Sequence, residues 1–137
     1  MKKMAAGNSS RYLEMEAMME PYKLGEMEQR FAELIWEKAP IGSGELAKLC
    51  DSAFGWKRTT AYTMLKRLCE RGIFKNQNGT VVVLQTREEF QGAQSEQFVN
   101  ETFQGSLPQF LTAFTKRRKM SKVEIEELKK LIEEYEE

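Results

Sequence analysis

The stretch Trp56–Gly72, WKRTTAYTMLKRLCERG, decides how the rest of the chain is read. At helical spacing Ala61, Met64, Leu65 and Leu68, with Cys69 beside them, form one apolar stripe. The other side carries Lys57, Arg58, Thr59, Thr60, Tyr62, Thr63 and Lys66, with Arg67 and Arg71 along the flank. Between Trp56 and Lys75 stand six Lys/Arg and one acid, Glu70, a local balance of +5 in a chain whose total is neutral. A helix with an apolar back and a basic, hydroxyl-rich front fits a DNA major groove. Arg and Lys reach phosphates and guanine edges, and Thr methyls meet thymine methyls. An ordinary amphipathic helix with solvated charges has the same composition, so the neighbouring elements decide.

Upstream, the spacing predicts a helix over 25–38, with Met27, Phe31, Leu34 and Ile35 on one face and Trp36 beside it. Glu26 and Glu28 in the first turn and Lys38 in the last suit the helix dipole. Ala39-Pro40 stops it, and 41–43 forms a short extended link able to pair as a small strand. A second helix is expected over 44–51 with Ser43 as N-cap, then a turn over 52–55 anchored by Phe54.

Downstream, Gly72 reads as a C-cap glycine and the period changes. Residues 73–75 and 80–85 read as strands, and Asn78-Gly79 between them is a strong hairpin-turn signal. Helix, small strand, helix, helix and hairpin is the order of a winged helix-turn-helix, and that order is more specific than any one element. The fold class expected is therefore mainly α with a small β-hairpin, a winged helix-turn-helix followed by a C-terminal helical region.

From Thr86 the helical period returns, with a capping-box spacing at Thr86 and Glu89 and apolar positions at Phe90, Ala93, Val99 and Phe103. A further helix follows Ser106, with Leu107, Phe110, Leu111 and Phe114 at the spacing of one face. The last, about 122–136, begins at a second capping box (Ser121, Glu124) and carries Ile125, Leu128, Leu131, Ile132 and Tyr135. The three helices and hairpin before Thr86 are expected to supply a complete small core, so the tail has more apolar surface than it can use. A second copy is the simplest cover, with Phe103, Leu107, Phe110, Leu111, Phe114, Leu128 and Ile132 as dimerisation residues. Packing wholly within one chain is the alternative. The basic run 116–119 suits either DNA phosphates or a solvated linker. Three segments follow: an arm at 1–23, a winged DNA-binding domain at 24–86 and a helical dimerisation region at 87–137.

Composition narrows the function. Residues 1–86 hold 13 basic and 10 acidic residues, and 87–137 hold 8 and 11, so the neutral total covers two differently charged parts. No apolar run is long enough to span a bilayer, and no signal-peptide pattern appears. Two cysteines, Cys50 and Cys69, lie on apolar stripes, and there is no histidine. This points to a reducing, cytoplasmic setting and to no metal site or cofactor. No phosphate loop, nucleophile elbow or isolated carboxylate pair is present, so an enzyme is not expected.

Three stretches carry a family resemblance: LGEMEQRFAELIW (24–36), WKRTTAYTMLKRLCERGIF (56–74) and FVNETFQGSLPQFLTAFTKRRKMSKVEIEELKKLI (98–132). Together they resemble the penicillinase/methicillin-resistance repressor family (BlaI/MecI type). The resemblance implies a homodimeric transcriptional repressor that reads a palindromic operator, in antibiotic-resistance or stress-responsive regulation. Thr59, Thr60, Tyr62, Thr63, Lys66 and Arg67 fall on the recognition-helix motif. In the best-known members a membrane-bound sensor triggers proteolysis between Asn and Phe in the dimerisation region; the matching bond here is Ala113–Phe114. Copper-responsive relatives carry a C-terminal Cys-x-Cys site, which this tail lacks. The wing lacks the basic, aromatic second strand of many relatives, so a small share of DNA contact is expected from it. The rival reading, from a different class, is a winged protein-interaction module whose basic front grips an acidic partner.

Overall fold

The computed structural model describes residues 22–136. The expected arm, 1–23, lies outside the described residues apart from 22 and 23. Two compact units are present, one ending at Ser95 and the other running Glu96–Glu137.

The first unit is a winged helix: α1 (Glu26–Lys38), β1 (Ile41–Gly42), α2 (Ser43–Phe54), α3 (Arg58–Glu70), β2 (Phe74–Gln77), β3 (Thr80–Val83) and the first part of α4 (Arg87–Phe103). Its three antiparallel strands lie in the order β1-β3-β2, with Ile41 opposite Val81 and Phe74 opposite Val83. The hairpin turn is built by Asn78 (φ 52°) and Gly79 (φ 90°). Both central residues have positive φ, which matches the strand twist and explains the Asn-Gly pair. Gly79 also accepts from the Ser43 N–H at 2.8 Å, which ties the hairpin to the start of α2.

The core takes Phe31, Ala32 and Ile35 from α1, Leu46, Ala47 and Cys50 from α2, and Ala61, Leu65 and Leu68 from α3. Ile41, Ile73, Phe74 and Val81 close it from the sheet side. No polar or charged residue is buried among the described residues. Burial of this kind carries most of a small domain's stability, at about 25 cal/mol per Å² of apolar surface.

Several boundaries differ from the sequence reading. Helix α2 begins one residue earlier, with Gly42 as N-cap, and continues through 52–54, which were expected as a turn; Gly55 then ends it in the left-handed region. The strands occupy 74–77 and 80–83, so the turn is two residues long. The core also does not close at Thr86. Phe90 on α4 is fully buried, edge-to-face with Tyr22 at 5.9 Å and tilted against Trp36 at 5.7 Å. Trp36 Nε1 donates to the Gln85 carbonyl at 2.9 Å, and Arg87 pairs with Glu33 at 2.7 Å. The capping box at Thr86 and Glu89 is formed in both directions.

The second unit contains the end of α4, α5 (Leu107–Arg117) and α6 (Lys122–Glu133). Ser106 caps α5, and Ser121 with Glu124 boxes the start of α6. Phe98, Phe103 and Phe110 meet edge-to-face at 5.7–6.1 Å, and Phe114 stacks on Phe110 at 5.7 Å. Within the basic run, Arg118 pairs with Glu124 at 2.6 Å and lies over the Phe114 ring, which joins α5 to α6. No residue of α5 or α6 is buried.

Candidate nucleic-acid interface

Helix α3 divides as its sequence dictates. Ala61, Leu65 and Leu68 are buried, Met64 and Cys69 half-buried, and Lys57, Arg58, Thr59, Thr60, Thr63, Lys66 and Arg67 exposed. Tyr62, half-buried, sits between the two sides. Thirteen residues make a rod of about 20 Å, long enough to lie along a major groove.

Both ends of this rod are fixed by contacts outside it. At the start, Trp56 packs against Phe31 at 5.4 Å and Phe54 at 4.9 Å, so α1 and α2 together hold the chain that enters α3. Arg58 Nη2 donates to the Tyr62 phenol oxygen at 3.4 Å with its guanidinium over the ring, and the Ser43 hydroxyl lies on the same oxygen's side. These contacts, led by Ser43, hold the phenol below the usual tyrosine range. Ser43 is the first residue of α2 and Gly42 its N-cap, so the cap expected from Ser43 is not formed. At the far end Arg71 donates to the Lys23 carbonyl at 2.8 Å and lies 3.8 Å from Glu28, both side chains largely covered.

Electrostatics set α3 apart. Lys57 is its N-cap residue, Arg58 follows, and its first turn has no acid and no side-chain cap. Cations at a helix N-terminus oppose the dipole and cost stability, while an approaching anion reverses the sign of that interaction. A chain that places Lys and Arg there has traded local stability for attraction to negative charge.

Among the hydroxyls, Thr63 stands out. Its Oγ1 donates to the Thr59 carbonyl at 2.9 Å, so its proton is committed, and its methyl and the oxygen's acceptor lone pairs are what it can offer a base edge. Arg67 reaches back to the Met64 sulfur at 3.9 Å. Ser43, read from the sequence only as an N-cap, Lys75, read only as part of the basic stretch, and Asn76 adjoin this surface without having been assigned to it. The usable signal for Lys75 was its position next to inward-facing Phe74 on a strand, where side chains alternate.

Of the tail residues, Phe103, Phe110, Leu111 and Leu128 are half-buried. Leu107 (57%), Phe114 (37%) and Ile132 (64%) are exposed, as are Val123 and Leu131. Among the described residues no helix is long and apolar enough to cross a membrane.

A winged helix with an exposed, cationic recognition helix is the architecture of a DNA-binding transcription regulator. Residues 24–134 match the family model described as Penicillinase repressor, and the chain belongs to that family of transcriptional repressors. It is 25% identical over 117 residues to the penicillinase repressor of Bacillus licheniformis, covering 82% of this chain and 91% of that protein. Over 115 residues it is 21% identical to the methicillin resistance regulatory protein MecI of Staphylococcus aureus, covering 81% and 94%.

Proposed function

We propose that this chain is a homodimeric repressor, not an enzyme, which places one α3 helix per protomer in successive major grooves of a palindromic operator. The observation that carries the reading is the division of α3: a buried Ala61/Leu65/Leu68 stripe fixes which side is turned outward, and that side bears Lys57, Arg58, Thr59, Thr60, Tyr62, Thr63, Lys66 and Arg67. In this reading Thr60 and Thr63 read base edges, and Lys57, Lys66 and the arginines hold phosphates. Repression follows where the operator overlaps a promoter.

Dimerisation through α5 and α6 is supported by the lack of any buried residue on either helix and by the apolar side chains they leave exposed. The names of both relatives support a place in antibiotic-resistance regulation, and a DNA target accords with a cytoplasmic setting. The Ala113–Phe114 bond lies inside α5, so a protease acting there must first open that helix.

The test is selection of bound fragments from a random duplex pool, followed by titration of the enriched duplex and a scrambled one at several salt concentrations. The reading expects an enriched palindrome and a steep negative slope of log affinity against log salt. A protein-interaction module with a basic front would yield neither.

A further inference from the structure

Tyr22 and Lys23, which lead into α1, touch both α3 and α4. The Tyr22 carbonyl accepts from Gln94 Nε2 at 2.8 Å, and the Tyr22 ring meets Phe90 edge-to-face at 5.9 Å. Gln94 stands one turn beyond Phe90, so carbonyl and ring grip successive positions on one face of α4. The next carbonyl, that of Lys23, accepts from Arg71 Nη1, also at 2.8 Å, and Arg71 is the C-cap residue of α3. Two consecutive peptide carbonyls thus hold one helix each. Glu28 closes the junction: Oε1 accepts from the Gly25 N–H at 2.9 Å, and Oε2 lies 3.8 Å from Arg71 Nη2.

The backbones of α3 and α4 hardly approach each other directly, so this strap is a principal tie between them. Phe90 is the one buried residue of α4, and Gln94 is its last side chain bonded to the rest of the winged unit among the described residues. That unit ends at Ser95, and α4 continues to Phe103 in the second. A protomer joined to its copy through the second unit meets the second half-site by way of α4. The angle between α3 and α4 then enters the separation and rotation of the two recognition helices. Each base pair between half-sites adds roughly 3.4 Å and 35°, so a loose joint would blur that setting.

We propose that the Tyr22–Lys23 strap, with Gln94 and Arg71 as its positioning residues, determines operator spacing by locking α4 to α3, so that the dimer accepts one distance between half-sites. The proposal rests on the dimeric-repressor reading and adds to it a source of specificity that touches no base.

The test uses full-length protein on three duplexes: the enriched palindrome, the same palindrome with one base pair added between its half-sites, and a single half-site. The readout is the ratio of the first two affinities. Gln94→Met keeps the side-chain length and removes the donor. Loss of one sheltered hydrogen bond should lower the ratio by about fivefold, with half-site affinity within about twofold of wild type. Gln94→Glu, which sets an acceptor against the carbonyl, should lower it at least as far. Gln91→Met, at an exposed position of the same helix, should leave it unchanged. A wild-type ratio near one overturns the proposal, and so does a Gln94→Met ratio equal to wild type. A half-site loss as large as the loss on the enriched palindrome, the mark of damage to the winged fold alone, overturns it too. In each case a large wild-type gain of the palindrome over the half-site leaves the dimer reading standing. Absence of that gain removes the dimer reading and the proposal together.

Discussion

Truncating Phe90 to alanine asks whether the winged core is complete at the hairpin or depends on α4. The ring is fully buried and meets Tyr22 and Trp36 at 5.9 and 5.7 Å. Removing a buried phenyl ring costs about 3–5 kcal/mol in transfer and cavity terms. Aromatic pairs of this geometry are worth about 0.5–1.5 kcal/mol each beyond area burial, which places this site in the upper part of that range. A domain of this size has only about 5–15 kcal/mol in total. At roughly 4–8 °C per kcal/mol the melting point should fall by on the order of 15–30 °C. Phe90→Leu, which keeps most of the volume, should cost less than about 1.5 kcal/mol. Thermal and urea unfolding followed by tryptophan fluorescence supplies the readout, because Trp36 contacts the missing ring. A Phe90→Ala protein melting within about 5 °C of wild type would mean that the domain closes without α4, since such a shift corresponds to only about 1 kcal/mol.

Other expectations concern the groove face, alkaline stability and the tail. Thr63→Val keeps the free methyl and should bind the enriched duplex within about twofold of wild type, while Thr63→Ser should lose about fourfold per half-site, the worth of one buried methyl. Equal losses in anisotropy titrations would show that the hydroxyl is the reader. Burial pushes the Cys50 thiol up to about 11. Its unfolded value is roughly 8.5–9, so folding favours the protonated thiol. The stability this provides is complete below pH 9 and declines by on the order of 2–3 kcal/mol as the pH rises to 11. Urea midpoints of wild type and Cys50→Ala across that window should converge as the pH rises; parallel profiles would refute the assignment. Ile132→Glu, at an exposed apolar position on α6, should yield a folded monomer in sedimentation, and an unchanged sedimentation coefficient would remove that face from the interface.

The periodic elements were legible because their burial is one-sided. Phe31 and Ile35 on α1, and Leu65 and Leu68 on α3, stand at helical spacing and are the residues found inside. Asn78-Gly79 was legible for a stereochemical reason, since both positions require positive φ. The capping boxes at Thr86 and Ser121 were legible because the side chains bond only three residues away. The end of α2 was misread because Ser52 and Ala53 are weak local signals, and its helix is set by Phe54 packing on Trp56. Dependence of the core on Phe90 was hidden because its partners, Tyr22 and Trp36, are 68 and 54 positions away in the chain. For the same reason composition could place Lys66 and Lys75 in one basic stretch but could not put them on two walls of a groove.

The central claim is that two copies present two recognition helices to one operator. Its most direct measurement is the affinity of full-length protein for duplexes carrying two enriched half-sites or one, with the bound stoichiometry determined by sedimentation. Linkage of the second half-site at high effective concentration predicts two copies on the full site and a gain on the order of 10²–10⁴ over the half-site. Equal affinity for both duplexes, with one copy bound to each, would contradict it.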